Sequence, residues 1–419
     1  MWTKEKIYKL LRLTEKYTKT DMVYLAKGGF WFSLNYILSI LLAVFLLAAF
    51  ANLIPPDVYG NYKFVFSVIG IISVFSLTGM GSAVVQSISR GFKKSFSHGH
   101  IKQLSWSMIP LFMGVVVSGY YFFQGNNLLG ASFLVAGILS PLYANLSLYD
   151  SYFLGKKRFR KSATLSIIQQ VFNFAVLLTA LFLTDNVFVL VSVFVGSFFV
   201  TNFIFFLLAK REEVKTLEKN EPLDKELVGN AKHLSLMKVF ARLATELDKV
   251  LVFHFMGAIE LAIYSFAFTP VAKIGGLNVV IKKIGLPKLA TIPVPTLKKT
   301  LPRKIFILMG VSLVIAVIYA VLAPFIFKIF FPKYLDSVIL TQAFAGILVF
   351  TIPATVLNQV MVAHMKKKAL YISQIVQPLI KIGLILALIP TFGLWGGVLA
   401  ITSSHLIYFV MLFILFRRL

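Results

Sequence analysis

Long apolar stretches alternate with short polar segments along the whole chain. Each stretch is about 20 residues or longer, which as an α-helix crosses a hydrocarbon core of about 30 Å. The pattern predicts spans at 28–53, 64–88, 104–123, 128–153, 163–183, 187–209, 233–256, 260–281, 304–327, 337–362, 369–390 and 393–416. The sequence therefore predicts an all-α membrane protein of about twelve transmembrane helices.

Basic residues are confined to alternate loops. Positive charge is retained on the cytoplasmic side of a membrane, so this alternation predicts that both termini are cytoplasmic. The basic segments are the N-terminal tail, the loops within 90–102, 156–161, 210–232, 282–304 and 366–368, and Arg417 with Arg418. The opposite loops hold only Lys63, Lys328 and Lys333. We predict a multi-pass protein of the cytoplasmic (inner) membrane.

Composition agrees with this class. Of the 419 residues, 58% are hydrophobic and 14% charged, against about 25% charged in soluble proteins. The net charge of +26 would suggest nucleic acid binding in a soluble protein, but the topology accounts for it, and no nucleic acid partner is expected. The absence of cysteine excludes disulfides, thiolate metal sites and cysteine nucleophiles. We expect no cofactor and no metal.

The spans divide into two groups of six. The expected organisation is a cytoplasmic basic tail at 1–27, an N-terminal lobe at 28–209, a cytoplasmic linker at 210–232 and a C-terminal lobe at 233–419. In the tail, apolar residues within 4–19 recur at helical spacing, which indicates either an interfacial amphipathic helix or a simple basic anchor.

The two halves contain similar segments. The stretch from Pro55 to Tyr62 follows span one, and the stretch from Gly257 to Tyr264 follows span seven. Superposing Tyr62 on Tyr264 also places span one on span seven. Two six-helix lobes around a central site are a recurring transporter plan, although similar apolar segments also arise by chance.

Span seven carries an unusual number of charges for a membrane helix. Lys238, Arg242 and Glu246 are spaced by four residues, with Lys249 three further on, so they share one face. Asp248 points about 200° away from Glu246 at 3.6 residues per turn. Ionised side chains inside a membrane face a cavity or a partner, which means that this helix is not a peripheral, lipid-facing span.

Other spans add polar residues. Span eleven has Gln374, Gln377 and Lys381 on one stripe, and span eight has Lys273 near its centre. With span seven, these residues predict a hydrated cavity with excess positive charge, suited to an anionic headgroup such as a pyrophosphate. Glu246 and Asp248 are candidates for ion coupling or gating. The alternative is that Glu246 only neutralises Arg242 and Lys249. The span-five amides Gln169, Gln170 and Asn173 either line the cavity or join helices.

Enzyme signatures are missing from the sequence. It has no phosphate-binding P-loop, no nucleophile elbow and no zinc-protease motif. An integral glycosyltransferase would be expected to need a substantial external loop, whereas the predicted external loops are very short. We therefore expect a protein without catalytic residues.

Several short motifs, in this order and spacing, resemble those of polysaccharide flippases. The likeness is to the O-antigen-type, Wzx-like branch of the multidrug/oligosaccharidyl-lipid/polysaccharide (MOP) exporter superfamily, and it extends over nearly the whole chain. The motifs are Pro56 to Gly60, Asp248 to Lys249, Gly257 to Ala267, Gly285 to Pro287, Phe331 to Tyr334 and Leu388 to Gly397. The chain departs from the usual pattern at Ala262 and Pro332, where glycine is more common.

The resemblance implies a V-shaped pair of lobes with alternating access, and a polyprenyl-pyrophosphate-linked oligosaccharide as cargo for surface polysaccharide biosynthesis. It also implies that Arg242 and Lys381 face the inter-lobe cavity and that Asp248 occupies the acidic position of span seven. Membrane lipids, a glycan polymerase and glycosyltransferases are the expected partners.

Two alternatives remain open. One is a cation-coupled multidrug efflux antiporter of the same superfamily, which would be expected to have a carboxylate in span one, where this chain has Asn35. The other is a non-transporting scaffold subunit of a glycan-synthesis complex, in which the cavity charges would be dispensable.

Overall fold

The computed structural model describes residues 22–217, 221–276, 289, 292–364 and 366–418. The predicted tail helix within 4–19 and the motif Gly285 to Pro287 lie outside these ranges. Every regular element of the described residues is helical, as a hydrocarbon environment requires. The helices are α1 Met22–Leu53, α2 Pro56–Ile72, α3 Met80–Ser89, α4 Ser95–Phe123, α5 Asn127–Leu146, α6 Leu148–Gly155, α7 Phe159–Leu183, α8 Val187–Thr216, α9 Leu227–Met256, α10 Ala258–Gly276, α11 Val294–Phe330, α12 Ser337–Ala363 and α13 Lys367–Arg417, with 3₁₀ turns at Ser73–Phe75 and Pro332–Tyr334.

The described helices confirm a polytopic membrane protein of about twelve spans. Ten of them are long and apolar enough to cross a membrane. The last of these is interrupted at Gly393, whose φ of 58° and ψ of −133° are not helical, so its two halves match predicted spans eleven and twelve. α9 is not among the ten because it carries five charged residues between 238 and 249. It is nevertheless 30 residues long and corresponds to span seven.

The predicted boundary of span two is wrong. Span two was expected at 64–88 with Lys63 in an external loop, but the crossing helix runs from Pro56 to Phe75 and Lys63 lies inside it. Pro55 is extended and Pro56 occupies the first helical turn, a position that proline favours because no amide hydrogen is needed there. Hydropathy alone placed the boundary at the lysine, whereas the helix-start signal lies two turns earlier.

The internal repeat predicted from the two tyrosine segments is present in the helix boundaries. α2 begins at Pro56 and α10 at Ala258, so Tyr62 and Tyr264 both lie six residues after the first residue of their helix. The two helices also touch: a Cβ on Gly60 would lie 1.8 Å from the carbonyl oxygen of Ala258. Only glycine permits this backbone contact between the halves.

The buried apolar clusters give the molecule its V shape. We call the end with the short connections 54–55, 124–126, 184–186 and Gly257 the short-loop end, and the opposite end the basic end. At the short-loop end a single core contains residues of both halves, such as Tyr59 and Phe266. Towards the basic end the core separates into two clusters, one around Phe96 and Tyr152 and the other composed of residues beyond 288. The lobes are therefore joined at the short-loop end. At the basic end they diverge, except where the start of α9 packs on α3 and Gly79 N donates to Ser235 Oγ at 2.8 Å.

The connection between the halves is shorter than the predicted linker at 210–232. α8 continues to Thr216 and α9 begins at Leu227. The intervening segment is attached to the first lobe by Asp224, which is buried and accepts hydrogen bonds from Ser87 Oγ at 2.5 Å and Arg90 Nη2 at 2.6 Å.

Candidate functional site

A cavity of about 550 Å³ lies between the two lobes. Its walls come from α1, α2, α5 and α8 of the first lobe and from α9 and α10 of the second. The α1 wall is apolar, whereas the charged side chains come from α2, α9 and α10. Among the residues that the structure describes, the charged ones lining the cavity are Lys63, Arg242, Glu246, Lys249 and Lys273. Four cations against one carboxylate give the lining a formal charge of +3.

The α9 charges form a continuous row on the cavity side. Arg242 Nη1 lies 3.3 Å from Glu246 Oε1, and Lys249 Nζ lies 2.6 Å from Glu246 Oε2. Each carboxylate oxygen thus contacts a different cation. The row exists because spacings of three and four residues place side chains on the same helix face.

Gly70 of α2 makes room for this row. A Cβ at this position would lie 3.0 Å from Arg242 Nη2 and 3.0 Å from Glu246 Cγ. Its carbonyl oxygen also accepts a hydrogen bond from Arg242 Nε at 3.4 Å. The first lobe therefore supports the arginine of the second lobe directly at the cavity wall.

Lys63 is the cavity residue that sequence reasoning missed. Its ammonium group lies 5.2 Å from the centroid of the Tyr59 ring. In the described part of the chain, neither Lys63 nor Lys273 has a carboxylate within salt-bridge distance. The signal that would have found Lys63 is the Pro55–Pro56 pair, which starts the helix before the lysine.

Of the residues predicted to line the cavity, Arg242, Glu246 and Lys273 do so, and Lys238, Gln377 and Lys381 are not among its lining residues. Lys238 is exposed and donates to the carbonyl oxygen of Thr78 at 3.4 Å. The side chain of Gln374 lies outside the described residues.

Lys381 lies within electrostatic reach of Asp248 and also of Lys249 and Glu246. Asp248 is 1% exposed, and its Oδ2 accepts a hydrogen bond from the Tyr264 hydroxyl at 2.9 Å. Gly397 accommodates the ring of Tyr264, because a Cβ there would lie 2.6 Å from Tyr264 Cε2. α13, which carries Lys381, packs on α9, and a cavity role for Lys381 stays a prediction. α9 is thus polar on two sides, with one polar side facing the cavity and the other the interior of the second lobe.

Two of the three span-five amides, Gln169 and Gln170, join helices of the first lobe, whereas the buried amide of Asn173 makes no hydrogen bond among the described residues. Gln169 Nε2 donates to Thr201 Oγ1 at 3.0 Å and to Asn202 Oδ1 at 3.1 Å. Gln170 Nε2 contacts Asn35 Oδ1 and donates to Ser166 Oγ at 3.1 Å. These bonds connect α7 to α8 and to α1. None of these amides is among the residues that line the cavity.

Aromatic rings from both lobes close the cavity at the short-loop end. The ring centroids of Tyr59 and Phe266 are 4.7 Å apart, and Phe266 stacks on Tyr334 at 3.7 Å. Further along the seam, Phe64 stacks on Phe253 at 3.6 Å. Tyr59, Phe266, Tyr334 and Phe64 are buried and Phe253 is half-buried, so these rings pack the seam between the lobes at the short-loop end.

Two helical lobes around a central charged cavity define a membrane flippase or transporter. The chain matches the family described as "Polysaccharide biosynthesis protein" over residues 25–282, a range that contains every cavity-lining residue. It belongs to this family. No curated protein sequence matches the chain.

Solved structures show the same fold. A MOP superfamily transporter from Pyrococcus furiosus is similar at a TM-score of 0.65 and 14% identity, covering 94% of this chain and 95% of that one. An inward-facing MATE family multidrug resistance transporter is similar at a TM-score of 0.64 and 14% identity, covering 92% of this chain and 93% of that one. The lipid II flippase MurJ in an inward closed conformation is similar at a TM-score of 0.63 and 14% identity, covering 91% of this chain and 86% of that one. The chain therefore has the MOP superfamily fold that its motifs led us to expect.

Proposed function

We propose that this protein is a flippase that moves a polyprenyl-diphosphate-linked oligosaccharide across the cytoplasmic membrane, for surface polysaccharide biosynthesis. The observation that carries the proposal is the +3 cavity between the lobes. A cation cluster in a low-dielectric site favours an anion that can take several charged hydrogen bonds at once. A diphosphate is such an anion, and membership of a polysaccharide biosynthesis family agrees with a glycan as its substituent.

The geometry supports a simple transport cycle. The lobes diverge at the basic end, which the charge pattern predicts to be cytoplasmic, so the cavity receives the headgroup from that side. Lys63 and Lys273 face Arg242 and Lys249 from neighbouring helices and bind the diphosphate between them. The prenyl chain stays in the bilayer, because transferring it to water would cost about 0.8 kcal/mol per methylene group.

Release requires the opposite arrangement of the lobes. Rocking of the lobes separates Tyr59 from Phe266 and Tyr334, opens the short-loop end and closes the basic end. The lobes proposed to rock are 28–209 and 233–419, and the linking segment near Asp224 stays with the first lobe because of its bonds to Ser87 and Arg90. Asp248 has no place among the headgroup contacts of this cycle because its carboxylate is buried against Tyr264, whereas a contact from Lys381 stays a prediction.

Reconstituted transport tests the proposal. The purified protein is placed in vesicles with a fluorescent polyprenyl-diphosphate saccharide, and flipping is followed by the loss of fluorescence to a membrane-impermeant quencher. We expect flipping by the wild type and strong loss in Lys63→Met, Arg242→Ala and Lys273→Met. Lys299→Met, an exposed lysine at the basic end of α11, is the matched control and should behave as wild type.

The two alternatives predict different results in the same assay. A multidrug antiporter would ignore the lipid and move an organic cation instead, although a +3 cavity repels that class of substrate. A scaffold subunit would show no flipping in the wild type. Flipping that persists at the wild-type rate in all three cavity variants would refute the role proposed for the cavity cations.

A further inference from the structure

Glu246 is the one carboxylate among the described residues that line the cavity. It is 7% exposed, and both of its oxygens already contact cations: Arg242 Nη1 at 3.3 Å and Lys249 Nζ at 2.6 Å. An anionic headgroup that binds these two cations must therefore compete with Glu246 for them.

The empty cavity needs such a carboxylate. Cations without an anion are costly in a membrane interior, and a flippase has to return its empty cavity across the bilayer after each delivery. Without Glu246 the lining would carry four positive charges and no compensating group. With Glu246 in place, Arg242 and Lys249 are neutralised while no cargo is bound.

We propose that Glu246 is the resident counter-ion of the empty transporter, displaced from Arg242 and Lys249 by the diphosphate of the cargo and returning to both when the cargo leaves. This inference rests on the function proposed above and assigns Glu246 a role in the return step. It differs from ion coupling, because the exchange occurs between two anions and needs no external cation.

The surroundings suit a reversible exchange. All three side chains lie on one face of α9, so rotamer changes alone separate Glu246 from its partners. Arg242 is held over the cavity by the carbonyl oxygen of Gly70 at 3.4 Å, and Lys249 by that of Thr245 at 3.3 Å. Since these bonds do not involve Glu246, the cations keep their positions when the carboxylate moves away. The side chain of Arg242 is 48% exposed and accessible to an incoming anion.

A binding measurement tests the competition. Inorganic pyrophosphate is titrated into the purified full-length protein, and its affinity is compared among the wild type, Glu246→Gln, Glu246→Asp and Glu260→Gln. Removal of the competing charge should tighten binding in Glu246→Gln by about fivefold or more, the usual size of coupling between two binding events. Glu246→Asp keeps the charge and should stay near wild type. Glu260→Gln makes the same chemical change at the start of α10, outside the cavity lining, and should have no effect.

A flux measurement tests the return step. With the fluorescent polyprenyl-diphosphate saccharide in one leaflet, net flipping requires the empty cavity to return. With the same lipid in both leaflets, one-for-one exchange of lipid does not require the empty cavity to return. Glu246→Gln should lose most of its net flipping and retain exchange, whereas a merely structural defect would lower both equally.

The outcomes separate this inference from the proposed function. If the wild type neither binds pyrophosphate nor flips the lipid, the function itself is wrong. If the wild type does both, and Glu246→Gln binds pyrophosphate no more tightly or loses net flipping and exchange in parallel, the counter-ion role is wrong while the function stands.

Discussion

α1 and α9 occupy equivalent positions in the two halves but have opposite chemistry. The repeat that brings Pro56 onto Ala258 also brings Val44 onto Glu246 and Leu47 onto Lys249. Leu47, Glu246 and Lys249 all line the cavity. The two halves are therefore related in their helices but not in their central site: of the described cavity charges, α9 and α10 supply all except Lys63.

The fold and the site of this protein depend on different properties of its helices. The V shape needs only apolar helices that pack in pairs, and both halves provide them. An anion site needs cations close together, which repel one another unless a carboxylate lies between them. Concentrating the charges on α9 lets Glu246 contact two of them at once, whereas a symmetric distribution would have separated them.

The largest effect on pyrophosphate affinity is expected when the charge of Arg242 in the α9 row is reversed. Arg242→Glu places two carboxylates four residues apart at the cavity wall and removes a headgroup contact. Pyrophosphate affinity should fall about a hundredfold, the scale seen when one partner of a close charge pair is lost. Titration of the purified variant checks this. An affinity within threefold of wild type would show that the row does not bind the anion.

A smaller effect is expected when the second polar side of α9 is made to resemble α1. Asp248→Leu introduces the type of residue found at the equivalent position, Leu46, and leaves the Tyr264 hydroxyl buried without an acceptor. The free energy of unfolding should fall by about 2–3 kcal/mol, with pyrophosphate affinity unchanged. Unfolding in detergent measures the loss, and Asp248→Leu combined with Tyr264→Phe should recover part of it. A weakened pyrophosphate affinity with normal stability would instead place Asp248 in the headgroup site.

Gly70→Ala should act weakly, through the α9 row. The added methyl group would meet Arg242 and Glu246 at 3.0 Å and must displace them by a few tenths of an ångström. We expect a loss of about 1 kcal/mol or slightly more in pyrophosphate binding, at the lower end of the cost of overpacking. Gly119→Ala, where no atom lies within 4 Å of the added Cβ, is the matched control. Equal effects of the two substitutions would exclude a specific role for Gly70.

The smallest effect on pyrophosphate affinity is expected from a substitution in α1, the apolar helix of the pair. Leu47→Met conserves volume in α1 and should change stability by less than about 1.5 kcal/mol, with normal pyrophosphate affinity. Lys249→Met introduces the same residue at the equivalent position of α9 and should weaken pyrophosphate binding several-fold by removing one cation. If the two variants behave alike in titration, the chemical difference between α1 and α9 has no bearing on the anion.

Much of the fold could be predicted because apolar length indicates where a membrane helix lies and the basic loops indicate its orientation. Hydropathy located every span but shifted span two, since a lysine two turns inside α2 resembles a loop residue when only polarity is considered. The charges of α9 were visible at helical spacing, and so was the opposite direction of Asp248. Periodicity gives the faces of a helix but not the neighbour that each face meets.

A polytopic helical protein, its two related halves and the charged helix at the start of the second half could all be predicted from the sequence, because they follow from apolar length and from local spacing. The tertiary structure was needed to show that Lys63 joins Arg242, Lys249 and Lys273 around the cavity, and that Asp248 meets Tyr264 inside the second lobe. The physical reason is packing between helices distant in the chain. Glycines such as Gly60 and Gly70 set how closely helices of the two lobes approach, and that approach selects which charges share one site.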